Sequence, residues 1–208
     1  MVENDNFNQI DNKEFDRISH KTNSFVVKED LNIIERLYVK NKNSQIFNNK
    51  LRMFGPMALD EEEIKLYNAL MEAINSNRTE QNYLVHRFVN NDYLESVFNF
   101  KPTFDIYYNL MMIQQQIGSR KIEKGFMSCY MTDKHIIERN IKLEIKIPKG
   151  TRAYITRNKD ESEIILPCNT EYEITGANII NISIIQIYFN IINYDENNTD
   201  LFSNLLRK

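Results

Sequence analysis

The order of two hydrophobic periodicities is the feature that most limits how this chain can fold. Up to residue 74, apolar side chains recur every three or four positions, which is the spacing of one face of an α-helix. After residues 75–77, short runs rich in β-branched and aromatic residues replace that pattern, as in strands. Because a doubly wound parallel sheet requires helices and strands to alternate, a chain with helices first and strands afterwards is predicted to be α+β.

The helical pattern is clearest where an acidic cluster precedes an apolar stripe. Asp60-Glu61-Glu62-Glu63 puts negative charge at the positive end of the helix that follows it. Helices are predicted over residues 28–40, 46–51, 60–74 and 102–117, the last ending at Gly118. Strands are predicted over residues 83–89, 125–131, 141–147, 152–155, 161–166, 171–174 and 179–192.

Length and composition indicate one domain. A chain of 208 residues with 42% hydrophobic side chains can bury one full core. We expect a single domain over residues 25–208, with a helical front over 25–80 and a β core over 81–208. Residues 1–24 are polar and have little to bury, so they are expected to form a loose arm or a marginal first helix.

Charge and hydropathy exclude several classes of partner. The net charge of −3 provides no global basic field for a nucleic-acid backbone, so nucleic acid is not expected as a partner. No apolar run approaches the ~20 residues that cross a bilayer, so no transmembrane segment is expected. The first residues also lack the basic-then-apolar pattern of a secretion signal.

Cysteine and histidine usage does not predict a metal site. Cys129 and Cys168 stand in unrelated contexts, and His20, His86 and His135 are dispersed along the chain. None of them has the spacing of metal ligands or of a disulfide framework. We therefore expect no metal.

Three polar sites stand out within the predicted strands. Arg87 lies inside the strand 83–89, Ser128 lies inside the strand 125–131, and Glu161 and Glu163 begin an apolar run that Pro167 closes. Side chains at i and i+2 of a strand share a face, so the two glutamates are predicted to point the same way. A bare Glu-x-Glu is most often a solvated strand end, so its meaning depends on context.

The order and contexts of these sites resemble the arginine-serine-glutamate class of mono-ADP-ribosyltransferases. Within that class, the clostridial Rho-modifying exoenzymes and the enzymatic components of actin-modifying binary toxins are the nearest in pattern. The resemblance is dense over residues 121–174, where the chain reads KGFMSCY, IKLEIKIPKGTRAYI and ESEIILPCNTEYEI. A weaker match is FNNKLR at residues 47–52.

The resemblance implies a mixed, mostly antiparallel two-sheet core with N-terminal helices and NAD, the co-substrate, in the cleft between the sheets. Glu163 would stabilise the positive charge that develops on the ribose when the nicotinamide bond breaks. Glu161 would hold or deprotonate the acceptor. Ser128 would orient Glu163, and Arg87 would bind the nicotinamide-side phosphate or ribose.

Three further NAD contacts follow from the same resemblance. The backbone of Phe88 would hydrogen-bond the nicotinamide amide, while Asn48 and Arg52 match helix positions that contact the phosphates and adenosine. With Arg87, Ser128 and Glu163, these residues complete the expected NAD-binding set.

The chain also departs from the family pattern. Ser128-Cys129-Tyr130 replaces Ser-Thr-Ser, and Phe88 stands where these toxins often carry glycine. Asn158 occupies the position of an aromatic residue that Rho-modifying relatives place before the acid pair. By the same resemblance, Glu161 in place of glutamine favours arginine over asparagine as the acceptor.

The function expected from the resemblance is transfer of ADP-ribose from NAD to a target or host protein by a bacterial toxin or effector. Such a protein is secreted or delivered into a target cell, sometimes by a separate delivery component, and acts in the cytosol of that cell. Two alternatives stay open: an NAD glycohydrolase on the same scaffold, and a catalytically dead copy that serves as a binding subunit. The joint presence of Arg87, Ser128, Glu161 and Glu163 argues against the dead copy.

Overall fold

The computed structural model of the protein describes residues 6–40, 44–132 and 139–192, and it confirms the α+β class. The helices are α1 (Asn12–Ser24), α2 (Lys28–Ile34) continued by a π-helical turn (Glu35–Val39), α3 (Ser44–Phe54), a 3-10 turn (Pro56–Ala58), α4 (Glu61–Asn75), α5 (Asn91–Phe98) and α6 (Ile106–Gln114). None of the helices in these ranges is long and apolar enough to cross a bilayer.

The strands form one continuous mixed sheet. They are β1 (Tyr83–Val89), β2 (Arg120–Glu123), β3 (Met127–Tyr130), β4 (Ile141–Ile147), β5 (Tyr154–Ile155), β6 (Glu163–Leu166), β7 (Thr170–Asn181) and β8 (Ile184–Ile191). Their order in the sheet is β2-β7-β8-β4-β1-β3-β6-β5. The β4–β8 pair is parallel and the other neighbours are antiparallel, as expected for a mostly antiparallel core.

Two separate sheets were expected, but the strands form one sheet that is narrowest at the junction of β1 and β3. β1 pairs with β4 along its whole length, from Tyr83 to Val89, but it meets β3 through the single register pair His86 and Tyr130. The strands on either side of that pair diverge, because one pair cannot hold two ladders in a common plane. The two groups of strands are therefore joined, and the space beside the junction is available for a cleft.

Two hydrophobic cores lie on opposite faces of the β3–β6 ladder. Ile164 and Leu166 of β6 belong to the larger core, which also contains β1, β4, β8 and residues of α1, α5 and α6. Ile165 points the other way, into a smaller core made with α2, α3 and α4. Since both faces of β6 are covered, its sequence is a continuous apolar run after Glu163.

Helix α4 closes the smaller core, and its start explains the acidic cluster. The Asp60 side chain accepts hydrogen bonds from the backbone N–H groups of Glu62 and Glu63 at 3.1 and 2.9 Å. The Glu63 carboxylate in turn accepts from the Asp60 N–H at 3.0 Å, which completes a capping box. Leu70 and Ile74 on the opposite face are fully buried.

The N-terminal segment differs from a loose arm. Residues 12–24 form α1, and its Phe15 and Ile18 are buried in the larger core. Asn23 donates to the backbone carbonyl of Ile155 at 3.0 Å and accepts from the Tyr154 hydroxyl at 2.7 Å. Average polarity hid this helix, because two apolar side chains and one buried amide are enough to attach it.

Two elements were not predicted from the sequence. α5 follows β1 after a single residue, so its short apolar pattern merges with that of the strand. β2 is an edge strand whose residues Arg120, Lys121 and Glu123 give it no apolar stripe. Edge strands pair on one side only, which relaxes the demand for hydrophobic side chains.

We expect Asp60→Ala to lower the free energy of unfolding by about 1 kcal/mol, because two N–H groups at the start of α4 lose their acceptor. Urea denaturation followed by circular dichroism measures the change. Asp60→Asn is the matched control, since an amide oxygen can still cap the helix. Equal losses in the two variants would show that charge, and not the cap, supports α4.

Candidate active site

A cleft of about 590 Å³ opens between α3 and the sheet, beside the junction of β1 and β3. All of the residues that the sequence analysis assigned to catalysis or NAD binding line it: Asn48, Arg52, Arg87, Phe88, Ser128, Glu161 and Glu163. These residues come from α3, β1, β3, β6 and the turn before β6, so only the folded chain brings them together.

Strand alternation places Ser128 and Glu163 on the cleft side of the β3–β6 ladder. Met127 and Cys129 of β3 are buried in the larger core, so Ser128 and Tyr130 between and beyond them point away from it. In the antiparallel register Tyr130 is opposite Glu163. The Ser128 hydroxyl donates a hydrogen bond to Oε1 of Glu163, as expected for the orienting serine.

The Glu163 carboxylate is buried, and only 4% of the residue is exposed. Burial raises its pKa from 4.5 to about 7, because a charged carboxylate loses its hydration there. The hydrogen bond from Ser128 lowers the pKa in part, and the nearby charge of Glu161 raises it. The group is therefore poised to change its charge close to neutral pH.

Glu161 reaches the cleft through a turn and not, as predicted, as part of the strand. β6 begins only at Glu163, and Ser162 between the two acids has φ of +46°, in the left-handed region. The Ser162 N–H donates to the carbonyl of Asn158 at 2.8 Å, which closes the turn. Both acids still line the cleft, but Glu161 is exposed whereas Glu163 is buried.

Arg87 is the innermost cation of the cleft. Its guanidinium carbon lies 6.0 Å from the centre of the Tyr93 ring, and its Nη1 lies 4.0 Å from Oε2 of Glu123. Burial on its own lowers the pKa of Arg87, but Glu123 and the smaller contributions of the surrounding thiol and phenol groups together outweigh burial, so the pKa stands above its usual value. Among the described residues, the buried Nη1 has no hydrogen-bond partner.

Arg52 and Asn48 enter the cleft from α3 and do different things. Arg52 donates from Nε to Oε1 of Glu123 at 2.8 Å. Asn48 is buried, and its Oδ1 accepts from the Phe126 N–H at 2.9 Å, which ties α3 to the start of β3. A Cβ at Gly125 would lie 3.1 Å from that same Oδ1, so the close approach favours glycine.

The backbone of Phe88 is partly committed to the protein. Its carbonyl accepts a hydrogen bond from Nη1 of Arg139 at 2.7 Å. A ligand amide at this position would meet a carbonyl that already has one donor but keeps a second lone pair. Arg139 also lines the cleft. In the sequence it follows residues 133–138, which include His135 and which the structure does not describe.

Sequence reasoning missed Glu123, Tyr130 and Arg139 as residues of the site or its wall. The signal for Glu123 was a carboxylate two residues before Gly125, within a charged stretch between a predicted helix and a predicted strand. Tyr130 was noted only as a departure from the family pattern, although its position opposite Glu163 puts it on the cleft side. Nothing in the local sequence marks Arg139.

The described residues hold no group of three or more metal-ligating side chains. Cys129 is buried beneath the cleft floor, and burial raises its pKa to about 12, so the thiol is a poor nucleophile. His86 does not line the cleft, and its Nδ1 accepts a hydrogen bond from Nε2 of Gln9 at 2.9 Å. The chemistry of the cleft therefore rests on its carboxylates and guanidinium groups.

This arrangement suits cleavage of a bond that leaves positive charge behind on a substrate with phosphate groups. The guanidinium groups of Arg52 and Arg87 attract anions, and the buried carboxylate of Glu163 would stabilise a developing cation. The exposed Glu161 lies beside it, two residues away, where a second substrate can enter. The cleft thus contains one buried and one exposed carboxylate.

Comparison with known proteins identifies the family of this chain. The family model of the ADP-ribosyltransferase exoenzymes matches residues 4–202. The epidermal cell differentiation inhibitor of Staphylococcus aureus is 28% identical, and the matched region covers 70% of this chain and 67% of that protein.

Two solved structures show how closely the fold agrees. The C3 exoenzyme of Clostridium limosum has a TM-score of 0.77 at 18% identity and covers 90% of this chain and 98% of that one. C3stau2 from S. aureus, solved with NAD, has a TM-score of 0.72 at 21% identity and covers 91% and 98%. The matched family model and the arginine-serine-glutamate cleft lead to one conclusion: this chain belongs to the ADP-ribosyltransferase exoenzyme family, as a bacterial NAD-dependent mono-ADP-ribosyltransferase toxin.

Proposed function

We propose that the protein transfers ADP-ribose from NAD to an arginine side chain of a target protein, with Glu163 and Glu161 serving different halves of the reaction. The observation that carries the proposal is their contrast in burial within one cleft. Glu163 is 4% exposed and held by Ser128, whereas Glu161 is exposed two residues away.

The first step of the proposed reaction is the binding of NAD. The guanidinium group of Arg87, whose side chain is partly exposed in the cleft, would donate to a phosphate or ribose oxygen on the nicotinamide side. Arg52 would bind the phosphates from the α3 side of the cleft, and the Phe88 carbonyl would accept from the nicotinamide amide. The NAD complex of the S. aureus C3stau2 supports the choice of this dinucleotide.

The second step is cleavage of the bond between nicotinamide and ribose. The sugar then carries positive charge, and the ionised Glu163 would stabilise it through a hydrogen bond to a ribose hydroxyl. Ser128 holds the carboxylate in one orientation, so little reorganisation is needed when charge develops.

The third step is attack by the acceptor. An arginine guanidinium has a pKa above ~12, so it is a poor nucleophile until a carboxylate orients it and takes a proton. Glu161 is placed for this role because it is exposed and lines the same cleft. The target protein would approach over the turn that carries Glu161. By analogy with toxins of this family, we infer that the protein acts inside a target cell.

Glu163→Gln should lower the rate of NAD hydrolysis by about 10²- to 10³-fold, because the amide cannot stabilise the ribosyl cation. NAD affinity should stay within about threefold, since the charge acts mainly in the transition state. Hydrolysis of labelled NAD gives the rate, and isothermal calorimetry gives the affinity. A variant that keeps more than about a tenth of the activity would place the catalytic acid elsewhere.

Glu161→Gln should separate the two half-reactions. Cleavage of NAD should continue with water as acceptor, while transfer to a small guanidine should fall by about 10²-fold, because nothing deprotonates it. Both activities are measured in parallel on one preparation. Asp160→Asn, which removes the neighbouring carboxylate of the same turn, is the matched control and should retain both activities.

The outcomes of that comparison distinguish the competing functions. Equal losses of hydrolysis and transfer in Glu161→Gln would contradict separate roles for the acids. Intact transfer would contradict arginine as the acceptor. Wild-type protein that only hydrolyses NAD, in a cell lysate as well as with free guanidine, would identify a glycohydrolase, and protein that does neither would identify a binding subunit.

The raised pKa of Glu163 predicts two opposite pH dependences. Activity requires the ionised carboxylate, so kcat/KM for NAD hydrolysis should rise as pH increases through about 7. Stability should change the other way. The folded state binds the proton more tightly than the unfolded chain, so this stabilisation is complete below about 4.5 and is lost as pH rises through about 7.

Glu163→Gln provides the measurement of the second effect. The variant should be more stable than the wild type at pH 8, by up to about 3 kcal/mol, and the difference should vanish near pH 4, below the pKa of the unfolded chain. Urea titrations at the two pH values give the comparison. A difference that is independent of pH would show that Glu163 is not titrating in this range.

A further inference from the structure

Glu123 is a buried carboxylate that the proposed reaction does not use. It is the last residue of β2, and its side chain is only 1% exposed. It does not line the cleft but lies directly behind two residues that do, Arg52 and Arg87. A buried charge persists only where partners compensate for its lost hydration, so the contacts of this carboxylate indicate what it does.

Both oxygens of Glu123 are engaged by groups at the cleft. Oε1 accepts from Nε of Arg52 at 2.8 Å and from the N–H of Gly125 at 2.9 Å. Oε2 accepts a longer bond from Nη2 of Arg52 at 3.4 Å and lies 4.0 Å from Nη1 of Arg87. One carboxylate thus connects helix α3, strands β1 and β2, and two of the arginines that line the cleft, Arg52 and Arg87.

Two guanidinium groups around one buried point would repel each other without an anion between them. Glu123 supplies that anion from the side away from the cleft, so the outward N–H groups of both arginines stay free to bind phosphate. Arg52 depends on it most, because its side chain is 20% exposed and has solvent as an alternative. Its other hydrogen bond is to the Asn49 side chain, at 3.0 Å.

We propose that Glu123 is a positioning residue for NAD: it holds Arg52 against the cleft wall and compensates the charge of Arg87, so that both guanidinium groups are preorganised for the pyrophosphate. This inference rests on the proposed function, because it assumes that NAD occupies the cleft. It adds a residue that touches no substrate and acts through the two arginines.

Loss of Glu123 would also have an opposite electrostatic effect on NAD binding. The substitution removes a negative charge that repels the phosphates of NAD, and this change on its own would tighten binding. That repulsion acts from behind the guanidinium groups, at a greater distance than the direct contacts that Arg52 would make, and Coulomb energy falls with distance. Loss of the arginine geometry therefore dominates, and the sign of the change in affinity tests the idea.

The test is Glu123→Gln in the full chain. The amide has nearly the same size, but its NH₂ group would face the donor groups of Arg52 and Arg87, so the arrangement no longer holds. The Kd for NAD from calorimetry should rise about tenfold, equivalent to about 1.4 kcal/mol. The kcat for NAD hydrolysis should change by less than about twofold, because Glu163 is untouched.

Two further variants guard against a general loss of structure. Glu171→Gln is the matched control: Glu171 lies on β7 opposite Ile122, and its carboxylate is 3.7 Å from Arg120, outside the cleft. Its NAD affinity should equal that of the wild type. Glu123→Asp keeps the charge but withdraws it by one methylene, so it should fold and show an intermediate affinity even if Glu123→Gln does not fold.

A double-mutant cycle with Arg52→Ala identifies the route of the effect. If Glu123 acts through Arg52, adding Glu123→Gln to Arg52→Ala should weaken NAD binding by less than half of its effect in the wild type, on a logarithmic scale. Fully additive losses, an unchanged Kd or a tighter Kd in Glu123→Gln would each overturn the inference while leaving the enzyme assignment intact. A wild-type protein that does not bind NAD would overturn both.

Discussion

The hydrogen bond from Ser128 to Glu163 is the interaction on which the rest of the site depends. It crosses the β3–β6 ladder and orients a carboxylate that the fold has removed from water. Removal of the Glu163 carboxylate from water destabilises the folded state above neutral pH. The same burial favours catalysis, because a carboxylate in a site of low dielectric interacts strongly with a developing cation. The continuous apolar run after Glu163 supplies the burial.

Two cations of the cleft, Arg52 and Arg87, lie around the buried carboxylate of Glu123. The same cleft is also lined by the carboxylates of Glu163 and Glu161. The cleft therefore combines guanidinium groups that can bind anionic phosphates with a buried carboxylate that can stabilise a cation.

The fold class follows from the order of helical and strand patterns, and the positions of Arg87, Ser128 and Glu163 in predicted strands are visible in the sequence. Their assignment to the site, like that of Asn48, Arg52 and Phe88, came from the family resemblance. The sequence did not predict a role for Glu123, and it predicted either a loose arm or a marginal first helix where α1 stands, because the burial of both depends on partners distant in sequence, such as Arg52 and the backbone of Ile155. The single-pair junction of the strands was equally out of reach, because no residue in β1 or β3 encodes how far two ladders stay together.

The left-handed backbone at Ser162 divides the two acids between elements that differ in their tolerance of change. Glu163 belongs to the paired strand β6, whereas Glu161 is carried by a turn before that strand. Turns accept insertions and substitutions more readily than paired strands do. The rim of the cleft at Glu161 can therefore change in length or sequence while the pairing of β3 with β6 beneath it stays intact.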